Sequence, residues 1–295
     1  MMLLKRMKTW NKKNGLKRKT HKKKNTLIEA NMPTKIITLT TDFGLKDPYA
    51  AEMKAVILSI SPKAKIVDIT HEAEKFNIRM GAYTLAAACP YFPRGTIHVA
   101  VIDPGVGTKR KAILIQTKNA YFIGPDNGVL TLAAKSQGMK HIYRIENPKL
   151  MLPRISNTFH GRDVFAPAAA YLANGMSPSE FGPEIPEIVM PKFAKITKTK
   201  TMLTGEIIHI DGFGNIITNL REEDCEIMGM KKTVDLKLKD TRLKLKLCKA
   251  YSEAKTQQPL AIIGSHNFLE ISINQGNAAE NFKIRVGDKV TLYYL

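Results

Sequence analysis

Cysteine is scarce in this chain, with only Cys89, Cys225 and Cys248 among 295 residues. So odd and scattered a set argues against a disulfide framework and against zinc-ligand spacing, and it suits a reducing cytoplasm. No apolar run approaches the ~20 residues needed to cross a bilayer, so no membrane association is expected. Also missing are a Gly-x-x-x-x-Gly-Lys-Ser/Thr phosphate loop, a Gly-x-Gly-x-x-Gly turn opening a helix, a His-Glu-x-x-His pair and a Gly-x-Ser-x-Gly elbow. Nucleoside triphosphates, dinucleotides, protease zinc and serine-hydrolase chemistry lose weight accordingly, and no metal site is expected.

Acids are outnumbered, 26 Asp and Glu against 46 Lys and Arg, for a formal charge of +20. The excess is uneven: residues 1–32 hold eleven Lys or Arg and a single acid, Glu29. Self-repulsion and low hydrophobicity predict a basic disordered tail there. It has no apolar centre for a secretion signal and is too Lys-rich and Ser-poor for a transit peptide. A solvated extension is the reading adopted; nonspecific contact with RNA or an anionic surface is the alternative.

The remaining chain, 44% hydrophobic over its full length, can bury the cores of two domains. In residues 33–186, strand-like runs alternate with helical ones. Lys35–Thr41, Lys65–Ile69, Thr96–Ile102, Lys111–Gln116, Tyr121–Gly124 and His141–Ile145 read as strands. Met53, Val56, Ile57 and Ile60 recur at helical spacing behind Asp47-Pro48, a capping side chain and helix-start proline. Ile78, Tyr83, Leu85 and Ala86 begin a second helix, Val129–Ala134 a third, and Val164–Ala173 a fourth with Asp163 near its start. That alternation predicts an α/β domain with a mostly parallel sheet. Prolines mark a linker at 187–200. Residues 201–295 then show seven strand-length segments without helices, which predicts an all-β domain, barrel-like or sandwich.

Three of the early strands end at or near an aspartate, namely Asp42, Asp68 and Asp103. The carboxyl ends of strands form the ligand crevice of an open α/β sheet, so three carboxylates are expected along one edge. Asp103 opens Asp103-Pro104-Gly105-Val106-Gly107-Thr108-Lys109-Arg110, whose glycines admit a close ligand and whose Arg110 supplies a permanent cation. His160, in Phe159-His160-Gly161-Arg162-Asp163, adds a group that titrates near neutrality at a loop-to-helix junction. A polyhydroxylated or cationic small molecule is the ligand class that such a crevice suits.

These stretches, together with Pro125-Asp126-Asn127-Gly128, Asp211-Gly212-Phe213-Gly214-Asn215 and Gly264-Ser265-His266, stand in the order seen in the S-adenosyl-L-methionine (SAM) hydroxide adenosyltransferases. The chain resembles that family from about Lys35 to Leu295. The resemblance implies a homotrimer in which SAM lies between the α/β domain of one subunit and the β domain of its neighbour. It implies that Asp42 grips the ribose, that Phe76 borders the sugar and sulfonium, and that Asp211, Asn215 and Ser265 hold the methionine and purine ends. Asp103, Arg110 and His160 match the family's catalytic triad, which aims water or hydroxide at the 5′ carbon. SAM is then the substrate, with no further cofactor, and adenosine and L-methionine are the products.

Two other readings share these residues. The halogenating relatives carry an aromatic hydroxyl in place of Asp103 and small hydroxyl residues in place of Val106 and Gly161. A carboxylate a few ångströms from a bare halide is repelled by about 4 kcal/mol at 4 Å and an effective dielectric of 20, so hydrolysis is expected over halide transfer. A non-catalytic adenosyl-ligand binder, with a tail contacting RNA, is the remaining alternative. Either Asp103 or His160 could take the proton from water.

Overall fold

The computed structural model describes residues 35–227 and 232–293, so the expected basic tail lies outside the described residues. The first half is built on six strands: β1 (Ile36–Thr41), β2 (Lys65–Thr70), β3 (Ile97–Val101), β4 (Ala112–Thr117), β5 (Tyr121–Pro125) and β6 (Met139–Arg144). They form one sheet in the order β2-β1-β3-β5-β4-β6. Strands β1, β2, β3 and β5 run parallel, and β4 is antiparallel to both β5 and β6. β3 is buried throughout and β1 along nearly all its length, uncharged and rich in β-branched residues with Thr38, Thr40 and His98 buried among them, whereas the charged, alternating Lys65–Thr70 is an edge strand.

Helices cover both faces. Four of them do so: α1 (Tyr49–Ile60), α2 (Ile78–Ala88), α3 (Thr131–Ser136) and α4 (Ala166–Ala173). α1 and α4 pack Met53, Ile57, Ala169 and Ala170 against Ile37, Leu39, Val99 and Val101. α2 and α3 pack Ala82, Leu85, Ala86 and Ala133 against Ile102, Ile113 and Phe122 on the other face. The chain leaves β1 for β2 on one side and returns to β3 on the other, so the β1/β3 boundary is the topological switch point where doubly wound sheets open a crevice. α2 crosses close above the end of that region. A Cβ at Gly81 would stand 2.5 Å from Ile102 Cδ1, so a larger residue there would have to displace that side chain from beneath the helix.

The expected cap at Asp47 is not made: Pro48 holds the N-cap position of α1 with no side-chain cap bond. Proline's fixed φ starts the helix without one. α2 is capped instead by Asn77, whose side chain accepts from the Met80 N–H at 2.9 Å.

The second half is a closed barrel. A two-residue strand, β7 (Thr197–Lys198), precedes it in a stretch read from sequence as linker. The barrel strands are β8 (Met202–Ile210), β9 (Ile216–Arg221), β10 (Thr233–Leu238), β11 (Thr241–Cys248), β12 (Pro259–Ile263), β13 (Phe268–Ile273) and β14 (Lys289–Tyr293). They follow one another in the order β14-β10-β11-β12-β13-β9-β8, and pairing of β14 with β8 closes the ring. β7 pairs with β8 outside that ring. Two short helices, α5 (Glu222–Ile227) and α6 (Ala278–Phe282), interrupt what the sequence presented as strands alone. At six and five residues they offer too few turns for a helical period to register. The barrel joins the α2 face of the sheet layer: Tyr83 stacks on His209 at 4.5 Å, Arg79 pairs with Glu206, and Ile208, Ile217 and Phe268 share the core of α2. No described helix is long and apolar enough to cross a membrane.

Candidate active site

The carboxyl ends of β1 and β3 open into a cavity of about 410 Å³. Asp42 and Asp103 enter it from those two strand ends, and Val106, Phe159, His160 and Gly161 close its far side. Asp68, the third aspartate expected at this edge, is not among its lining. It turns to Lys54 Nζ at 2.5 Å and approaches His71 Nε2 at 3.1 Å. β2 is the edge strand, and a lysine from α1 reaches Asp68 before any ligand could.

Asp103, Arg110 and His160 meet in one contact chain. Arg110 Nε donates to both Asp103 oxygens at 3.1 and 2.9 Å, and Nη2 donates to Oδ2 at 2.5 Å. The same Nη2 lies 2.7 Å from His160 Nδ1. A guanidinium nitrogen can only donate, so His160 Nδ1 is the acceptor and the neutral ring carries its proton on Nε2. Burial and then repulsion from Arg110 push the His160 pKa below its usual range, against the opposing pull of Asp103 and Asp163. The side chains of Asp103 and Arg110 are 5% and 10% exposed, so their charges meet with little water between them.

Local sequence sets each member. Asn127, in the Pro-Asp-Asn-Gly stretch, donates to the Ile102 carbonyl at 2.8 Å and fixes the end of the strand before Asp103. Gly107 holds φ 76°, and a Cβ there would stand 2.3 Å from the Asn157 carbonyl oxygen. That close approach brings the Asp103 loop against the His160 loop. Behind His160 the backbone makes a single π-helical turn, Gly161–Phe165, before α4. Asp163 sits in this first turn, the helix start expected for it, and is fully buried there: it accepts from Ser156 N–H at 2.7 Å and from Arg162 Nε at 2.7 Å. Arg162 reaches on to Glu52 at 2.8 Å and lies over the Phe159 ring, clamping the loop from outside the cavity.

Asp42 is 6% exposed; its Oδ2 accepts from the Phe76 N–H at 2.8 Å, and its carbonyl accepts from Lys75 Nζ at 2.5 Å. Phe76 holds φ 64°, a left-handed backbone that is strained for a bulky residue, and the residue is 70% exposed at the cavity rim. Tyr49 and Lys75 also line the cavity. Sequence reading missed both, since neither lies in a turn motif or at a strand end.

The other expected site residues stand elsewhere in the chain. Asp211 and Asn215 form the turn between β8 and β9: Asp211 Oδ1 accepts from the Phe213 and Asn215 N–H groups at 2.9 Å, and Oδ2 accepts from Asn215 Nδ2 at 2.8 Å. They line a separate cavity of about 600 Å³ with Tyr251 and Asn277. Ser265 lies in the β12–β13 turn and borders a third crevice. The structure therefore brings together Asp42, Phe76, Asp103 and His160 with Arg110 behind them, and leaves Asp211, Asn215 and Ser265 apart from that group.

A doubly wound layer joined to a closed barrel, with acid, guanidinium and imidazole gathered at the switch point, defines an α/β enzyme acting on a small molecule. The chain matches the SAM hydroxide adenosyltransferase N-terminal domain over residues 37–182 and the C-terminal domain over residues 205–291, and it belongs to that family. It is 41% identical over 271 residues to an (R)-S-adenosyl-L-methionine hydrolase of Methanocaldococcus jannaschii, covering 88% of this chain and 96% of the relative. A protein of the same name from Thermus thermophilus is 37% identical over 264 residues, covering 85% and 97%. A fluorinase of an Actinoplanes species is more distant, at 27% over 288 residues with 87% and 97% covered. A crystal structure of a conserved protein from Thermotoga maritima superposes with a TM-score of 0.76 at 38% identity, over 87% of this chain and 99% of that one.

Proposed function

We propose that the protein hydrolyses SAM to adenosine and L-methionine. The observation that carries this reading is the Asp103–Arg110–His160 contact chain opening onto a cavity that also holds Asp42. Water stands between Asp103 and His160. His160 Nε2–H donates to its oxygen, and Asp103 accepts its proton, since the other imidazole nitrogen is occupied by Arg110. The water oxygen bonds to the 5′ carbon as the carbon–sulfur bond breaks. That electron pair returns to sulfur, and methionine leaves as a neutral thioether that needs no proton. The task of the site is to strip, aim and deprotonate water, and proximity of this kind contributes ~7–11 kcal/mol. Asp42 binds the ribose hydroxyls, and the exposed Phe76 ring covers the sugar and sulfonium. No cofactor takes part, and the reaction is placed in the cytoplasm.

The active unit is a homotrimer in which Asp211, Asn215 and Ser265 of one copy complete the cavity of the next. Their separation from Asp103 within one chain and the exposure of Phe76 and Phe213 support that arrangement. Light scattering tests it: a monomeric mass in an active preparation would discard it. The reaction is tested by incubating the purified protein with SAM at saturating chloride or fluoride and identifying the products. Adenosine and L-methionine are expected. A 5′-halo nucleoside would overturn the exclusion of halide by Asp103, and intact SAM would leave only a binder.

A further inference from the structure

Behind the strand end that carries Asp42, a chain of polar side chains runs from β1 across β2 to α1. Thr41, the last residue of β1, is fully buried, and its Oγ1 lies 2.8 Å from Nδ1 of His71, itself buried just beyond β2. His71 Nε2 stands 3.1 Å from Asp68 Oδ1, and Asp68 Oδ2 accepts from Lys54 Nζ on α1 at 2.5 Å. Burial alone would raise the Asp68 pKa, but contacts with Lys54 and His71 hold it below the usual carboxylate range. An ionised carboxylate only accepts, so His71 Nε2 carries a proton and Nδ1 is left to the Thr41 hydroxyl.

Acid, imidazole and hydroxyl stand in the order of an activated nucleophile, yet Thr41 does not serve as one. Its oxygen is sealed in the core, and neither Thr41, His71 nor Asp68 lines the cavity that Asp42 enters. The hydroxyl acts on backbone instead. Thr41 Oγ1 accepts from the Phe43 N–H at 3.3 Å, closing a short turn over Asp42, and the His71 carbonyl accepts from the Gly44 N–H at 2.7 Å. The Thr41 carbonyl accepts in turn from the Ala73 N–H at 3.3 Å. Residues 41–44 and 71–73 are thus laced together on either side of Asp42. The Phe76 N–H then holds Oδ2 of its carboxylate, and among the described residues no donor meets Oδ1. We propose that His71, anchored by Asp68 and Lys54, is a positioning residue: through the Thr41 hydroxyl it sets the angle at which Asp42 offers its carboxylate to the hydroxyls of a ribose. This inference rests on the ribose role given to Asp42 above.

Calorimetric titration of the full chain with adenosine and with 2′,3′-dideoxyadenosine isolates the diol. Wild type is expected to prefer adenosine by about tenfold or more, the weight of a hydrogen bond to a charged group. Thr41→Val keeps the shape and removes the hydroxyl, and His71→Ala removes the ring; each should cut that preference about threefold or more and raise KM for SAM more than it lowers kcat. Thr41→Ser restores the hydroxyl and His71→Asn restores a polar atom near the position of Nδ1, so both should recover most of the preference. His71→Gln reaches toward Asp68 instead and should not. The two Thr41 variants carry the test where His71→Ala fails to fold. A merely structural role would lower the Tm and weaken both nucleosides alike, and an unchanged preference in Thr41→Val and His71→Ala while SAM is still hydrolysed would overturn the inference and leave that function standing. A wild-type preference near one would overturn the ribose role of Asp42 and this inference with it. A preference lost in these variants of a protein that leaves SAM intact would overturn the hydrolase reading and leave this one standing.

Discussion

Replacing Asp103 by Asn preserves shape and removes the proposed proton acceptor. The amide offers one oxygen where the carboxylate offered two, so it cannot receive all three N–H contacts that Arg110 makes at 3.1, 2.9 and 2.5 Å. One contact at least is lost, and the new N–H₂ faces a guanidinium. General-base loss costs a factor of ~100–10,000 in rate. At about 1.36 kcal/mol per decade this is about 2.7–5.4 kcal/mol of transition-state stabilisation. KM should move much less, because the proposed roles have Asp103 address the nucleophile and Asp42 the adenosyl group. Breaking a buried ion pair destabilises by up to ~3–5 kcal/mol, so a lower Tm is also expected and folding must be checked by a melt. The assay is adenosine release at saturating SAM, read by chromatography at a temperature where the variant is folded. A folded Asp103→Asn variant with wild-type kcat would refute the assignment of Asp103 as the proton acceptor.

In the proposed reaction neutral His160 is the active form, and burial with Arg110 repulsion depresses its pKa. Activity should therefore persist below the ordinary histidine value of ~6.5, whereas this residue's share of stability, fully present above ~6.5, is lost progressively as pH falls from there through the lower folded value, because the unfolded ring takes up its proton first. An acid limb of kcat above pH ~7 would contradict this. Gly107→Ala forces a left-handed φ of 76° on alanine and a Cβ 2.3 Å from the Asn157 carbonyl oxygen. Strain of ~1–3 kcal/mol should lower the Tm, and separation of the two loops should lower kcat; unchanged values in both measurements would show that the loops need not touch. Asp163→Asn loses charge-assisted bonds to Ser156 and Arg162. A fall in kcat larger than any rise in KM is expected from the loosened His160 loop, and a pure KM effect in steady-state kinetics would count against it.

The parallel sheet and the barrel were legible because their patterns are local. Largely apolar runs such as Ile97–Val101, whose one polar residue is His98, report burial on both faces, and the alternation of β10 and β11 reports one face in and one out. The acids at strand ends were legible for the same reason, since strand direction carries them to one edge. Which of them face a ligand was not. Asp42 and Asp68 look alike in sequence, and only the neighbouring α1, through Lys54, removes Asp68 from the cavity.

Sequence by itself determined most of the element types and the strand-end carboxylates, and it placed Arg110 and His160 in loops beside those elements. Tertiary structure alone decided that Arg110 bridges Asp103 to His160, and hence which ring nitrogen keeps its proton. It alone decided that Asp211, Asn215 and Ser265 stand away from that group, and that His71 joins Asp68 to the Thr41 hydroxyl. The reason is physical: periodicity encodes which side of an element is buried, whereas a hydrogen bond between residues far apart in sequence depends on where two loops come to rest after the elements have packed.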